Sequence, residues 1–274
     1  MTTKFKHFVT SGCSFSAIHA DCWNSELQKL LGIPMINMGI SSAGNSWISK
    51  SAIHAAQSLL EAGTPGEEIL MIVMWSGIDR KDSFISVKET SNYIDMIAPP
   101  DMATNPANFI DSNILGTSSI DGYLLGTLGC SFGNENINSF KRRLIGEFYS
   151  DEALAIASYE NFLRLQWYCR ANNIELVNLT YTDIMHYPRY HFADQRDIHP
   201  LTKDYYPRNI APLSRMIDFT KWIFWKDSGG LYEYTRDNKL QFNRDDFHPH
   251  VDSHAYYARN FLLPALKQRL SEII

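Results

Sequence analysis

Hydrophobic positions change period several times along the chain, and the changes mark out alternating strands and helices. Phe5-Lys6-His7-Phe8-Val9, continued by Thr10, reads as a short first strand. From Trp23 to Leu31 the apolar residues Leu27, Leu30 and Leu31 share one helical face, and Gly32 follows as a stop signal. Pro34 to Met38 is a second short apolar run, closed by Gly39. Asn45 to Ala62 regains helical spacing, with Ile48, Ala52, Ile53 and Ala56 on one side, and Gly63-Thr64-Pro65-Gly66 breaks it. Ile69 to Trp75 is apolar at every position, the pattern of a central parallel strand covered on both faces. Glu152 to Ala171 predicts a long amphipathic helix and Ile174 to Tyr181 another strand. Met216 to Trp225 reads as helical, and Ser253 to Ile274 as a closing helix. Strand and helix in turn predict an α/β fold, a three-layer α/β/α sandwich on a mainly parallel, flavodoxin-like sheet. Two irregular stretches interrupt the rhythm, near residues 82–150 and 183–240. They are expected to be insertions in one domain that spans residues 1–274.

Composition narrows the classes of function. The 274 residues carry 25 Lys and Arg against 30 Asp and Glu, a net charge of -5, so no global basic field exists to hold nucleic acid. The longest apolar run, Ile69 to Trp75, falls far short of the ~20 residues that span a bilayer, so no membrane partner is expected. Cys13, Cys22, Cys130 and Cys169 show no CxxC spacing, which favours reduced thiols over bridges or metal ligands. The first residues hold no apolar stretch of signal-peptide length, which predicts synthesis in the cytoplasm. Rings are abundant, at 13% of the chain. A core alone could absorb them, but residues 181–257 hold 16 of the 35, against about ten for an even spread, so a ring-lined rim that stacks on sugar faces or seals a subunit contact is expected there.

Three short segments carry candidate chemistry, each at or near the carboxyl end of a predicted strand, where open α/β sheets bind ligands. Gly12-Cys13-Ser14-Phe15-Ser16 is a small-residue turn after the first strand, able to present Ser14 and its backbone N–H. Between Asn37 and Ser46 the chain is punctuated by Gly39 and Gly44 and leads into a helix, whose N-terminal amides suit a developing negative charge. Asp245-Asp246-Phe247-His248-Pro249 places a carboxylate three residues before a histidine, a spacing that can fix the imidazole tautomer.

In this order the three blocks resemble the SGNH (GDSL-type) hydrolase family, over the first eighty residues or so and the last thirty. Cys13 stands where that family usually has Asp, and this Gly-Cys-Ser-Phe variant resembles SGNH-like proteins of phage and bacterial genomes. The resemblance implies a serine esterase with Ser14 as nucleophile, His248 as base and Asp245 orienting it. Its oxyanion hole would be built by the amides of Ser14 and Gly44, with Gly39, Asn45 and Arg80 in reserve. The family's further oxyanion asparagine is expected near Ile78, and an isoleucine cannot donate a hydrogen bond. Trp75, Asp79, Tyr181 and His186 are expected around the substrate. That substrate would be a small-molecule or glycan ester, with a carbohydrate O-acetyl group as the sharpest form. No cofactor and no metal are implied. An O-acyltransferase, a homo-oligomer, and a non-catalytic binding or structural module, for example in a virion or on a cell surface, stay open. So do the plainer readings, in which Ser14 caps a turn and His248 is a buried, satisfied histidine. The cluster His248, His250, Asp252 and His254 also admits a metal site, although the Asp-x-x-His pattern already accounts for His248.

Overall fold

The computed structural model describes residues 4–17, 21–41, 43–78, 80–86, 109–110, 123–128, 151–185, 211–244 and 248–270. Strand β1 (His7–Gly12) is followed by a single tight turn at Ser14–Ser16 and by helix α1 (Trp23–Leu31). Helix α1 stops at Gly32, whose φ of 70° is the left-handed conformation glycine adopts without strain. Strand β2 (Met35–Asn37), helix α2 (Asn45–Glu61) and strand β3 (Ile69–Trp75) follow. Strands β4 (Lys81–Ser86), β5 (Phe109–Ile110) and β6 (Tyr123–Leu128) lie in the segment expected as the first insertion. The chain continues through α3 (Asp151–Ala171), β7 (Glu175–Thr180), α4 (Ala211–Ser214), α5 (Leu231–Asp237), α6 (Val251–Tyr257) and α7 (Leu263–Arg269).

The main sheet is parallel throughout, in the order β2-β1-β3-β7, and helices flank it as an α/β/α fold. Val9 pairs with Ile36 on one side and Met71 on the other, and Met71 pairs in turn with Leu176. All seven residues of β3 are buried, which explains why its sequence lacks alternation: both faces are covered. Helix α2 packs against α3, tied by Asn45 Nδ2 to Ser158 Oγ at 3.1 Å and Tyr168 Oη to Gln57 Oε1 at 3.0 Å. Helix α1 packs against α6 and the turn beyond it, where Arg259 Nε meets Glu26 Oε1 at 2.7 Å. The strand order reverses direction between β1 and β3, which opens a crevice outside their carboxyl ends. A separate antiparallel sheet has the order β4-β6-β5.

Two helical expectations need correction. Residues 216–225 do not form a helix: one tight turn at Phe219–Lys221 leads into extended chain at Trp222. Trp222 bridges Asn178 of β7, and Ile223 N–H donates to Asn178 O at 2.9 Å. The apolar spacing that suggested a helix instead serves ring packing, since Trp222 lies against Trp75, Phe162 and Phe224. The closing helix begins at Val251, two residues early, and a wide turn at Ala258–Leu262 divides α6 from α7. That wider turn re-phases the apolar stripe and lets Tyr257, Leu262 and Leu266 all reach the core.

Candidate active site

The turn after β1 is clamped from three sides. Ser16 N–H donates to Cys13 O at 2.8 Å, closing it. Ser16 O accepts the side-chain amides of Asn24 and Asn37, both at 3.1 Å, and Ser16 Oγ accepts Trp23 Nε1 at 3.0 Å. Gly12 is required here, because a Cβ would come within 2.6 Å of the Ser16 hydroxyl. With Ser16 fixed, Ser14 stands half-buried at the sheet edge and its Oγ lies 2.6 Å from His248 Nε2. Asn243 N–H donates to His248 O at 2.9 Å and Phe242 bridges Pro249, so backbone pairing holds the histidine's segment. The imidazole lies against Phe15, ring centroids 4.8 Å apart, and Phe15 rests in turn on Tyr181 at 4.9 Å. A serine hydroxyl within hydrogen-bond reach of an imidazole that is itself braced is the arrangement nucleophilic catalysis needs.

Beside this pair lies a cavity of about 370 Å³, lined by Ser14, Asp21, Cys22, Asn243, His248 and His254 among others. Burial pushes the Cys22 thiol up to about 12, so it is protonated and unreactive at neutral pH. Burial pushes His254 down to about 3, helped by the neighbouring imidazoles of His248 and His250, so it is neutral. Its Nδ1 accepts Trp23 N–H at 3.3 Å, capping the start of α1 from a distant helix. His250 caps α6, its Nδ1 accepting Asp252 N–H at 3.4 Å. Among the described residues no three His, Cys, Asp or Glu side chains are grouped to hold a metal ion. Cys13, Cys22 and Cys169 are free and buried. Cys130 lies outside the described residues.

The second glycine block is arranged differently from what the resemblance implies. Gly44 N–H donates to Asp82 Oδ1 and Trp47 N–H to Asp82 Oδ2, each at 2.7 Å, so a buried carboxylate already occupies the start of α2. Gly39 N–H donates to Asn37 Oδ1 at 2.8 Å. A Cβ on Gly39 would sit 2.2 Å from Ser16 O, so this glycine is required for the close approach of two backbones. Asn45 is committed to Ser76: its Oδ1 accepts Ser76 N–H at 2.9 Å and its Nδ2 donates to Ser76 O at 3.2 Å. Arg80 is buried, with Nη1 on Ala43 O at 3.3 Å and its guanidinium over the Tyr181 ring at 5.6 Å. Ile78 is buried and contributes no side-chain donor. Of the residues expected to supply oxyanion donors, Ser14 is the one that lines the cavity, while Gly44, Gly39 and Asn45 hold the fold together.

Two expected substrate contacts also belong to the interior. Trp75 is fully buried, its Nε1 donating to Asn178 Oδ1 at 2.9 Å. Tyr181 is buried behind Phe15 rather than at the cavity wall. Asp79, His186 and Asp245 lie outside the described residues. Among the described residues, no Phe, Tyr or Trp lines the cavity. The rings of 181–257 that are described pack on one another instead, as Trp225, Tyr234 and Tyr257 do around Phe261. Sequence reasoning missed Asp82, which sits 38 residues from Gly44 with no local signal, and it weighed His254 as a metal ligand or as an exposed or packing residue of the last helix, of which the structure shows a buried one.

Residues 12–114 match a family described as "Family of unknown function (DUF6071)". That span includes Ser14, Gly39, Gly44 and Asp82 and ends well before His248. No curated protein matches the chain. Among the described residues no helix is long and apolar enough to cross a membrane.

Proposed function

We propose that this protein is a serine esterase of the SGNH type, acting on an acyl ester. The observation that carries the reading is the 2.6 Å approach of Ser14 Oγ to His248 Nε2 beside a cavity at the sheet's carboxyl edge. His248 Nε2 takes the hydroxyl proton as Ser14 Oγ bonds to the ester carbonyl carbon. The proton passes to the departing alcohol oxygen as the C–O bond breaks, which leaves an acyl-serine. Water then adds to the acyl carbon, gives a proton to His248, and the acid leaves as Ser14 recovers its hydrogen. Asp245 takes the role of orienting His248. At about 370 Å³ the cavity is small among ligand sites and suits a short acyl chain, so an O-acetyl group on a carbohydrate is the proposed substrate class.

A second reading is favoured by one observation: Asp82 fills the amides at the start of α2 that would otherwise stabilise an oxyanion. On that reading the chain is a non-catalytic binding module, for example within a virion or on a cell surface. Fluorophosphonate labelling and hydrolysis of p-nitrophenyl acetate and acetylated sugars separate the two. The esterase reading expects covalent capture of Ser14 and a fall in kcat/KM of ~10³-fold or more in Ser14→Ala and His248→Ala. Equal rates for wild type and Ser14→Ala on every ester would remove it.

A further inference from the structure

His254 is the buried titratable group at the cavity that the esterase chemistry leaves unused. It sits on α6, 5% exposed, and lines the cavity together with Ser14 and His248. Its Nδ1 is engaged as an acceptor, receiving the N–H of Trp23 at 3.3 Å. A neutral imidazole has one proton, so an accepting Nδ1 places that proton on Nε2. The ring cannot easily charge, because it is buried and its charge would be opposed by those of His248 and His250. His254 also shares a neighbour with the base, its centroid lying 6.3 Å from the Phe15 ring against which His248 rests. Two imidazoles beside one cavity are thus assigned opposite tasks, with His248 Nε2 receiving a proton and His254 Nε2–H offering one.

We propose that His254 is a substrate-binding residue whose Nε2–H donates a hydrogen bond to an oxygen of the ester held beside Ser14. The proposal rests on the esterase reading of Ser14 and names a donor that reading lacks. With the Gly44 and Gly39 amides committed elsewhere, a fixed neutral donor supplied by α6 takes on part of their expected work. Neutrality matters chemically. A cationic histidine would pull the Ser14–His248 pair away from proton transfer by repelling the imidazolium that forms there, whereas a neutral N–H polarises the ester without that penalty.

Two substitutions separate this role from simple capping of α1. His254→Asn keeps an acceptor where Nδ1 stood, for Trp23 N–H, and loses the donor at Nε2. His254→Gln places an amide donor near Nε2 and gives up the cap. The expected result is a fall in kcat/KM for p-nitrophenyl acetate of about tenfold or more in His254→Asn with Tm little changed. His254→Gln is expected to recover to within about threefold of wild type despite a lower Tm. Losses that follow Tm in both variants, or a His254→Asn rate equal to wild type, would overturn the proposal. Nitrogen-15 NMR of the His254 ring gives a readout without turnover: an Nδ1–H tautomer overturns the proposal whatever the activity. If wild type neither labels with fluorophosphonate nor cleaves any ester, the esterase reading itself fails and this assignment falls with it. Labelled wild type with an unaffected His254→Asn variant rejects His254 alone.

Discussion

The two small-residue turns at the carboxyl edge of the sheet both hold glycine and serine and differ in what they do with their polar groups. The turn after β1 spends its internal hydrogen bonds on Ser16 and leaves the Ser14 hydroxyl on His248 beside a cavity. The turn before α2 spends Gly39 on Asn37 and Gly44 on Asp82, and none of its described residues lines that cavity. The physics is the same in both places, since helix starts and tight turns expose N–H groups that attract an acceptor. What differs is whether the chain itself provides that acceptor. A turn that is satisfied from within adds stability, while one that is not can bind or react.

The largest expected effect comes from breaking the satisfied turn. Asp82→Ala leaves two buried N–H groups, of Gly44 and Trp47, without their carboxylate, and should cost about 3 kcal/mol in urea unfolding. Fluorophosphonate labelling of Ser14 in this variant should stay within about threefold of wild type if the second turn is structural. A tenfold acceleration would show the freed amides joining the reaction and would erase the contrast between the turns. Gly39→Ala should cost about 2 kcal/mol, because its Cβ must push the Ser16 carbonyl away, and labelling should slow as Ser14 shifts with it. Unchanged labelling would mean that the reactive turn does not depend on its neighbour.

Smaller effects probe the cavity side. His254 is held near 3 when folded and near 6.5 when unfolded, so between those values only the unfolded chain takes up the proton. Its contribution to stability is therefore present above pH 6.5 and is lost as pH falls below it, by up to about 1.4 kcal/mol per pH unit. Unfolding measured from pH 7 to pH 4.5 should show this slope in wild type and lose it in His254→Asn. Cys22 gives the least response. With its thiol pushed up to about 12, iodoacetamide at about pH 8 should leave it unmodified in the folded protein. Rapid modification would reveal that the cavity wall opens on the timescale of the reaction.

Much of the fold was legible because its signals are local. The unbroken run Ile69–Trp75 gave β3, and Gly32 and Gly63, both with positive φ, ended the helices where the pattern stopped. Ser14 and His248 were legible because small-residue turns at strand ends and an acid-x-x-His block are short motifs. Asp82 was not, since the demand for an anion at α2 is met from β4 through a turn that no spacing rule anticipates. Trp222 misled for a related reason. Its apolar neighbours fit a helical stripe, but pairing with Asn178 and stacking on Trp75 decide its conformation through contacts far away in sequence. The ring surplus was real, yet composition cannot tell rings that pack on rings from rings that face a ligand.

The order in which the site can assemble follows from one further property of its bonds. Trp23 to His254, Glu26 to Arg259 and Ser14 to His248 join residues 231, 233 and 234 positions apart. The sheet needs only segments up to residue 180, so the central strands can pair before the residues that complete the chemistry arrive. Closing so long a loop comes late and costs chain entropy that the sheet does not share. A nick or local fraying between α5 and α6 would then leave a folded sheet carrying Ser14 without its partner His248. Under mild stress the contact of Ser14 with His248 should therefore fail before the central strands unpair, which would silence the proposed chemistry while the sheet stays folded.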